Sequence, residues 1–520
     1  MARALAALVA AALLAAPALA ADVGFTYERP INGDCLTASS LDASVFPASY
    51  YVSGDETETT ANASTVTIAA GFSVTYGDTY KVLSNSLANE SYVLTQCGLS
   101  SAPSTVTSSA TGSVSIPLTS VAVPETVSYA FLELLGVSDR VESVSEYVTA
   151  PCGQLLALTC NKTAPDDFYS YTANETWLAA EFGAKADAIL SSSVGVAAPI
   201  AISFSAASAP TILARSAWIK YVGALFNLDN HANAIFDLIT ENYDRYAAAV
   251  VEALDAVEAG AADDLESDER PTAAFTLYYD SSYQISFASY KVDVIATAGG
   301  KNLNQTEIMA LEGVTASPYD TTTATFAWGT DDAGFATEDE AREAFLNVLK
   351  DVDVLIDETY AVDPTLYDAD AFFQTYGLNL VNDSVLESLP FLEGNWSVYR
   401  EDGLLSEALG LDWFEGAFAR ADLVLRDFVR AILGAEVAGT DEFTWIRTIH
   451  ETPVVVGPKD CTSASGITSI DEACDAEPST ICPYVTDCGD GDLAILPANA
   501  SITNTNSLVV NSCQYAACSA

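Results

Sequence analysis

The fold of this 520-residue chain is decided by one stretch from Asp229 to Ala259, which reads DNHANAIFDLITENYDRYAAAVVEALDAVEA. Its larger apolar residues recur every three or four positions, the spacing that places side chains on one face of an α-helix. At 1.5 Å per residue the helix is about 45 Å long, longer than a small domain is wide. Asp229 or Asn230 is suited to cap its start, and Gly260 to end it. The apolar face consists of Ile235, Ile239, Tyr243, Tyr246, Val250, Leu254 and Val257.

The long helix lies between two stretches in which strand and helix patterns alternate. That alternation predicts an α/β protein with two lobes, each built on a mainly parallel sheet and joined by the one rigid helix. A core helix in an all-α domain is the alternative that the helical pattern alone leaves open. The predicted segments are a signal peptide at 1–20, an N-terminal β-rich segment and connector at 21–113, a first α/β lobe at 114–210, connecting helices at 211–260, a second α/β lobe at 261–451 and a small Cys-rich tail at 452–520.

Short periodic runs predict the individual elements of these segments. Antiparallel strands are expected between Ser64 and Gln96, followed by a Ser/Thr-rich connector from Ser100 to Ser113. Thr337 and Glu340 have the spacing of a capping box. The further predicted strands are Ser120–Val123, Val141–Val144, Ala188–Ser191, Ala273–Tyr278 and Val354–Asp357, and the predicted helices are Thr126–Leu135, Trp177–Phe182, Tyr290–Ala298, Thr337–Lys350 and Ala417–Leu433.

The first twenty residues have the features of a secretory signal peptide. An apolar run from Ala4 to Ala20 follows Arg3 and ends in Ala-Leu-Ala, the small-residue pattern of a cleavage site. No later run of eighteen apolar residues follows, so we expect no membrane insertion after the signal is removed. We expect a protein that is secreted or on the cell surface, or periplasmic if the source is bacterial. The net charge of −51 argues against nucleic acid or an anionic membrane surface as a partner, because both would be repelled.

Ten cysteines in a secreted chain predict disulfides. Six of them lie in the last sixty residues, which we expect to form a disulfide-stapled tail. The short spacing of Cys152 and Cys160 predicts that these two pair with each other. Glycosylation sequons predict a glycoprotein and begin at Asn62, Asn89, Asn161, Asn174, Asn304, Asn382, Asn395 and Asn499.

A series of short motifs, in a fixed order, resembles the helical-backbone (class III) periplasmic substrate-binding proteins for ferric siderophores, haem and cobalamin. The resemblance covers roughly Gly71 to Glu451, and the Cys-rich tail is additional to it. The signal peptide also lacks the lipid-attachment Cys that is common in bacterial members. The motifs are Tyr80-Lys-Val82, Tyr92-Val-Leu-Thr-Gln-Cys-Gly98, Val121-Ala-Val-Pro-Glu-Thr126, Phe131-Leu-Glu-Leu-Leu-Gly-Val-Ser-Asp-Arg-Val141, Arg215-Ser-Ala-Trp-Ile-Lys220, Leu225-Phe-Asn227, Ala298-Gly-Gly300, Val398-Tyr399, Asp412-Trp-Phe-Glu-Gly416 and Asp422-Leu-Val-Leu425.

The resemblance implies a ligand held between the lobes, at loops that follow the carboxyl ends of strands. Aromatic side chains suit a flat or bulky chelate, and Arg400 is a candidate partner for a ligand carboxylate or catecholate. Helix capping, core packing and ordinary surface positions are the alternatives for each candidate. The candidate ligand-binding residues are Thr126, Ser128, Glu146, Tyr147, Tyr279, Tyr283, Trp328, Tyr360, Arg400 and Trp413, together with Glu125 and Tyr278.

The leading functional hypothesis is a secreted solute-binding protein that captures a ferric siderophore or a corrinoid for uptake. Its expected partners are that chelate and a membrane permease or receptor, and we expect a monomer without a cofactor. No catalytic motif stands out, and only His231 and His450 are present, so we expect a protein that is not an enzyme. A structural or adhesive surface glycoprotein on the same fold, and direct binding of ferric ion by Tyr and Asp oxygens, are the alternatives.

Overall fold

The structure is a computed structural model, and the chain divides into two compact units. The first unit comprises the described residues of Ala18–Thr240, Ser406–Ala421 and Val456–Ala520, and the second comprises those of Glu241–Leu405 and Asp422–Val455. The segment Ser406–Ala421 belongs to the first unit, whereas the sequence analysis assigns it to the second lobe. The described residues are 64, 66, 68–77, 79–99, 101–165, 168–258, 270–317, 325–330, 334–378, 385–439 and 442–461.

Two four-stranded sheets form the strand framework of the first unit. One has the order β1-β2-β3-β4, with antiparallel pairs except for the parallel pair β3 and β4. The other has the order β6-β5-β7-β8 and is parallel throughout. The strands are β1 (Phe72–Tyr76), β2 (Tyr80–Asn85), β3 (Glu90–Gln96), β4 (Gly112–Ile116), β5 (Val121–Val123), β6 (Val141–Val144), β7 (Ala188–Ser191) and β8 (Ala201–Ser203).

Helices flank the parallel sheet of the first unit, as the alternating pattern predicts. The three residues of β5 and the four of β7 are all buried, which explains why these strands are apolar without alternation. The predicted connector is not plain coil, because it contains α1 and the first residues of β4. The helices are α1 (Ser104–Thr107), α2 (Tyr129–Leu134), α3 (Pro151–Thr159), α4 (Phe168–Tyr171), α5 (Glu175–Glu181), α6 (Ile212–Ser216) and α7 (Ile219–Leu225).

The predicted long helix is confirmed as α8 (Asp229–Glu258), which has 30 residues. The division between the two units falls inside it, between Thr240 and Glu241. Its first residue is buried and fixed by the antiparallel sheet: the Tyr76 hydroxyl donates to Asp229 Oδ1 at 2.8 Å, and Lys81 Nζ donates to Asp229 Oδ2 at 2.5 Å. The helix therefore begins at a residue whose charge is neutralised inside the first unit.

The second unit is built on a mixed sheet rather than a mainly parallel one. Its path is β12-β13-β10-β9-β14-β15-β17, in which β9, β14 and β15 are parallel neighbours and the flanking pairs are antiparallel. The strands of this sheet are β9 (Thr272–Tyr279), β10 (Ser282–Ser286), β11 (Lys301–Asn302), β12 (Thr315–Ala316), β13 (Thr325–Gly329), β14 (Val354–Asp357), β15 (Val398–Arg400) and β17 (Arg447–Thr448). A separate two-stranded sheet is formed by β16 (Leu404–Ser406) and β18 (Val454–Val456).

The antiparallel part of this sheet begins with a tight hairpin that the sequence analysis does not predict. Asp280 and Ser281 join β9 to β10 with positive φ angles of 48° and 60°. A two-residue turn of this hand matches the right-handed twist of the strands. Because Asp-Ser is not the Asn-Gly or Asp-Gly pair that usually marks such a turn, the sequence carries only a weak signal for it.

Helices of the second unit agree with the prediction except at its last helix. The Ala417–Leu433 pattern is divided at Arg420, so that Gly416–Ala419 lies in the first unit and Ala421–Leu433 runs almost wholly in the second. No helix among the described residues is long and apolar enough to cross a bilayer. The helices are α9 (Ser289–Thr297), α10 (Gln305–Met309), α11 (Glu338–Val348), α12 (Ala369–Thr375), α13 (Gly416–Ala419), α14 (Ala421–Leu433) and α15 (Ala435–Ala438).

The start of the predicted tail packs on the first unit. Cys461 forms a disulfide with Cys152, so the prediction that Cys152 pairs with Cys160 is wrong. Gln154 Nε2 donates to the carbonyl of Val456 at 3.1 Å, beside that disulfide. Cys160 is disulfide-bonded as well. The remaining predictions for the tail, together with the signal peptide and the sequons at Asn62, Asn382 and Asn499, lie outside the described residues.

Candidate functional site

The connections of the parallel sheet in the first unit define a crevice at its carboxyl edge. From β5 the chain moves to β6 on one side, and β7 and β8 lie on the other side. Adjacent strands whose connections leave in opposite directions open a crevice outside their carboxyl ends, where open α/β sheets bind ligands. In this unit the crevice lies between β5 and β7. A ligand site is therefore expected at the loops that follow these two strands.

Glu125, two residues after β5, occupies this crevice. Its carboxylate accepts hydrogen bonds from the backbone N–H of Ser192 and, at 3.3 Å, from the hydroxyl of Ser193, both of which follow β7. Tyr169 of α4 lies beside it, and burial together with the Glu125 charge raises the pKa of Tyr169 to about 12. A carboxylate, two serines and a tyrosine thus meet at the switch point of the sheet.

The other candidates of the first unit are distributed around the same edge. Glu146 and Tyr147 follow β6, and the Tyr147 ring is exposed. Thr126 follows β5 but caps no helix, because α2 begins at Tyr129 and the Thr126 hydroxyl donates to the carbonyl of Phe414 at 3.5 Å. Ser128 is buried and makes no capping bond, so the anion site predicted at the start of this helix has no support in a helix of only six residues.

The segment that carries Trp413 and Phe414 is anchored by two buried carboxylates. The carboxylate of Glu415 accepts from the backbone N–H groups of Thr149 at 2.7 Å and Ala150 at 3.1 Å, and the Thr149 hydroxyl donates to Asp412. Burial and the neighbouring Asp412 charge raise the pKa of Glu415 to about 8. Trp413 is buried in this turn, whereas the ring of Phe414 is exposed.

Two of the candidates in the second unit lie at the carboxyl ends of its parallel strands. Tyr279 is the last residue of β9, and Tyr360 follows β14 in a loop that also exposes Val362 and Leu366. Tyr278 is half-buried, and its hydroxyl donates to Glu338 at 2.5 Å.

Tyr283 and Trp328 are core residues rather than ligand contacts. Trp328 lies in β13, not in a loop, and is fully buried against Phe345 with a ring distance of 5.4 Å. Tyr283 lies opposite Trp328 on β10 and stacks on the same phenylalanine. The prediction that these two side chains bind ligand gains no support, because the sheet turns both into the core of the second unit.

Arg400 is also part of a buried network of charges. Its guanidinium donates to Asp402 at 2.7 Å, to Asp357 at 2.9 Å and to the carbonyl of Thr359 at 2.9 Å. Arg447 donates to the other oxygen of Asp402 at 2.6 Å, and all four charged residues are buried. The predicted pairing of Arg400 with a ligand anion gains no support, since each nitrogen of its guanidinium already donates to a group within the second unit.

The exposed aromatic rings show a common placement that the sequence did not reveal. Among the described residues, each exposed Tyr or Phe lies at the carboxyl end of a strand, in the loop that follows one, or on a segment that contacts such a loop. Tyr169 and Phe414 were missed because neither directly follows a strand in the sequence; each reaches the edge from another segment of the chain. These exposed rings are Tyr147, Tyr169 and Phe414 in the first unit and Tyr279 and Tyr360 in the second.

A metal ion has no evident protein-only site in the described part of the chain. No group of three or more His, Cys, Asp or Glu side chains there is placed to hold one.

Comparison with known proteins gives structural likenesses and no sequence match. No protein-family model and no curated protein matches this chain. The crystal structure of Helicobacter pylori Ceue with Ni(II) bound is 11% identical, and the match covers 63% of this chain and 88% of that one with a TM-score of 0.39. A possible iron-binding (periplasmic solute-binding) protein from Staphylococcus epidermidis is 12% identical over 61% of this chain and 99% of its own, with a TM-score of 0.36.

A third likeness is to the periplasmic heme-binding protein RhuT from Roseiflexus in its apo form. It is 13% identical, the match covers 61% of this chain and 98% of that one, and the TM-score is 0.34. At TM-scores this low the likeness carries no inference about the ligand of this chain.

Proposed function

We propose that this protein is a secreted solute-binding protein that captures a bulky metal chelate, a ferric siderophore or a corrinoid, and performs no catalytic step. One observation carries the proposal: in both units, the exposed Tyr and Phe residues of the described part of the chain stand at the carboxyl end of a strand or beside a loop that follows one. In open α/β sheets this edge is where ligands bind. The resemblance of the sequence motifs to the siderophore and cobalamin binders supports the same reading.

Exposed rings are costly for a protein that binds nothing with them. Tyr169 is 62% exposed and Tyr360 is 75% exposed, and Val362 and Leu366, which follow Tyr360, are exposed as well. Contiguous apolar surface on a soluble protein marks a binding site more often than scattered single residues do. A ring that stacks on a chelate leaves water while its hydroxyl still finds a polar partner. The proposed ligand residues are Thr126, Glu125, Glu146, Tyr147, Tyr169 and Phe414 in the first unit and Tyr279, Tyr360, Val362 and Leu366 in the second.

Transport is part of the proposal, with a membrane permease or receptor as the expected partner. It is supported by the signal-like N-terminus and by the class of binding proteins that the motifs resemble. On this proposal the mature chain acts outside the cytoplasm as a monomer, and each binding event hands one chelate to the partner.

A surface glycoprotein without a ligand is the second candidate function, and one observation favours it. The five sequon asparagines in the described residues are all exposed in turns or at helix starts, where a glycan meets no steric obstacle. Adhesive or structural proteins of the cell surface commonly carry such glycans. The asparagines are Asn89, Asn161, Asn174, Asn304 and Asn395.

Native mass spectrometry of the secreted protein, followed by titration with a panel of ferric siderophores, haem and corrinoids, tests the proposal. We expect saturable binding of one class with a 1:1 stoichiometry. Tyr169→Ala tests the first unit and Tyr360→Ala tests the second. The variant in the unit that binds should weaken the affinity by tenfold or more, because burying an aromatic side chain contributes about 1.5 to 3 kcal/mol.

Leu158→Ala and Met309→Ala are the matched controls, since both residues are large, apolar and exposed but lie on helices α3 and α10. They should leave the affinity unchanged. If a folded, secreted protein binds no member of the panel at micromolar concentration, the proposal fails and the glycoprotein function takes its place. If the tyrosine variants and the controls bind equally, the placement of the site is wrong.

A further inference from the structure

The two edges of the parallel sheet in the first unit differ in charge. Glu125 and Glu146 lie at the carboxyl edge, together with the exposed rings. Glu146 is half-buried and has no hydrogen-bond or ion-pair partner among the described residues. A half-buried carboxylate without a partner is unfavourable, because burial removes part of its hydration. Its charge is therefore available to a ligand at this edge.

Cations of the same unit lie at the opposite edge. Arg140 donates to the carbonyl of Leu118 ahead of β5, and Lys162 donates to the carbonyl of Val141 at the first residue of β6. Lys185 pairs with Glu181 at the end of α5, just before β7. These three side chains meet the amino ends of the strands and cannot reach a ligand at the carboxyl ends.

The remaining cations among the described residues of the first unit are held inside it or beside acids. Lys81 pairs with Asp229, and Arg215 donates to the carbonyl of Ala207 and lies over the Phe418 ring. Lys220 and Arg420 are buried. Lys459 is exposed and lies two residues before Cys461, in a turn where its charge is offset by that of Asp460.

We infer that the ligand of the proposed site presents a positively charged group to Tyr147, Tyr169 and the carboxylates of Glu125 and Glu146. The inference rests on the proposed function and deepens it by assigning the charge of the chelate. The anionic chelate that the sequence suggested required Arg400 as its partner, and Arg400 is bound to Asp357 and Asp402.

Three physical effects act in the same direction. The face of a tyrosine ring attracts a cation, most strongly where water is excluded. A carboxylate behind or beside the ring adds a Coulombic attraction that a low local dielectric strengthens. The net charge of −51 also raises the local concentration of cationic solutes and lowers that of anionic ones. Each of these three effects disfavours the binding of a polyanionic chelate.

A charge series of one chelate separates this inference from the proposed function. Ferrioxamine B carries an ammonium tail, its N-acetyl derivative is neutral and its N-succinyl derivative is anionic, while the iron-binding part is unchanged. Aquacobalamin and cyanocobalamin form a second series that differs by one positive charge. We expect the cationic member to bind at least tenfold more tightly than the neutral one, and the anionic member to bind more weakly still. Added salt should reduce the difference.

Variants assign the effect to the carboxyl edge. Glu146→Gln should lower the affinity for the cationic member about tenfold and leave the neutral member within twofold. Asp139→Asn is the matched control, because Asp139 lies at the amino end of β6 beside Arg140 and should change neither affinity.

The outcomes distinguish the two proposals. Binding of a series with equal affinity for all members, or with the anionic member tightest, overturns the charge inference and leaves the proposed function standing. Failure of both series and of the wider panel overturns the function and the inference together. A charge preference that Glu146→Gln does not alter overturns the assignment to this edge.

Discussion

Cys152 is disulfide-bonded to Cys461, 309 residues further along the chain. Cys152 is the second residue of α3, and this helix directly follows the loop that carries Glu146 and Tyr147. The bond therefore ties the beginning of the predicted tail to the carboxyl edge of the first unit. The tail is consequently not a wholly separate appendage.

Cys461→Ser should destabilise the first unit by about 3 to 5 kcal/mol, because the disulfide closes a very long loop in the unfolded chain. Differential scanning calorimetry of the oxidised protein measures the loss. Lys459→Ser, an exposed neighbour in the same turn, is the control and should leave the transition in place. Truncation after Thr452 should act like Cys461→Ser; an unchanged transition in that truncated chain would contradict the structural role of residues 453–461.

Arg400→Met should lower the free energy of unfolding by about 3 to 5 kcal/mol, because Asp357 and Asp402 would remain buried with one fewer cation between them. Arg400→Lys should recover part of this loss, since a lysine cannot make all three bonds of the guanidinium. Urea unfolding followed by circular dichroism measures both. Arg342→Met is the control: its pair with the exposed Asp339 should be worth about 1 kcal/mol or less. Equal losses for Arg342→Met and Arg400→Met would refute the importance of the buried network.

Glu415 should make the stability of the first unit fall as the pH rises. Its pKa is raised in the folded protein, to about 8, so the folded state favours the protonated carboxyl. That contribution is fully present below the unfolded pKa, near 4.5, and is lost as the pH rises through 8. Glu415→Gln cannot ionise and should reduce the loss between pH 5.5 and 8.5 by about 1 to 3 kcal/mol. Calorimetry at both pH values, with the exposed Glu436→Gln as control, tests this; parallel pH profiles for Glu415→Gln and the unmodified protein would rule it out.

Thr337→Ala should cost about 1 kcal/mol, because the Thr337 side chain accepts the Glu340 N–H at 3.2 Å and caps α11. Thr337→Ser keeps the hydroxyl and should cost much less. The second half of the predicted capping box is shifted by one residue: Glu340 accepts from the backbone N–H of Ala336, not from that of Thr337. Urea unfolding compares the two variants, and equal stabilities would show that the cap contributes nothing.

The sequence predicts those parts of the fold that depend on local periodicity. The strands Ala188–Ser191 and Val354–Asp357 and the start of the helix at Asp229 agree with the structure residue for residue. Buried parallel strands and long amphipathic helices have hydrophobic patterns that can be recognised from the segment itself, without knowledge of its partners in the fold. The hairpin at Asp280 carries no such local pattern, because its strands are defined by their partners in the sheet.

The candidate site was predictable only in its general position. Glu125, Tyr147 and Tyr360 were placed at carboxyl edges because each follows a predicted strand, and the order of residues along the chain is local information. Arg400 follows the same local rule but is neutralised by Asp357, 43 residues earlier in the chain. Phe414 reaches the edge through the carboxylate anchor at Thr149. Contacts between distant segments leave no periodic signal in a single sequence.

The first unit is assembled from three separate pieces of chain, and this affects the order in which the chain can fold. Its last described piece contains Cys461, which is synthesised only after the whole of Glu241–Leu405. Domains generally fold as they emerge from the ribosome or the translocon, beginning with the N-terminal one. The N-terminal unit is therefore incomplete until residue 461 has been synthesised and an oxidant has closed the bond, so its apolar surface is open to aggregation for longer than that of a contiguous domain.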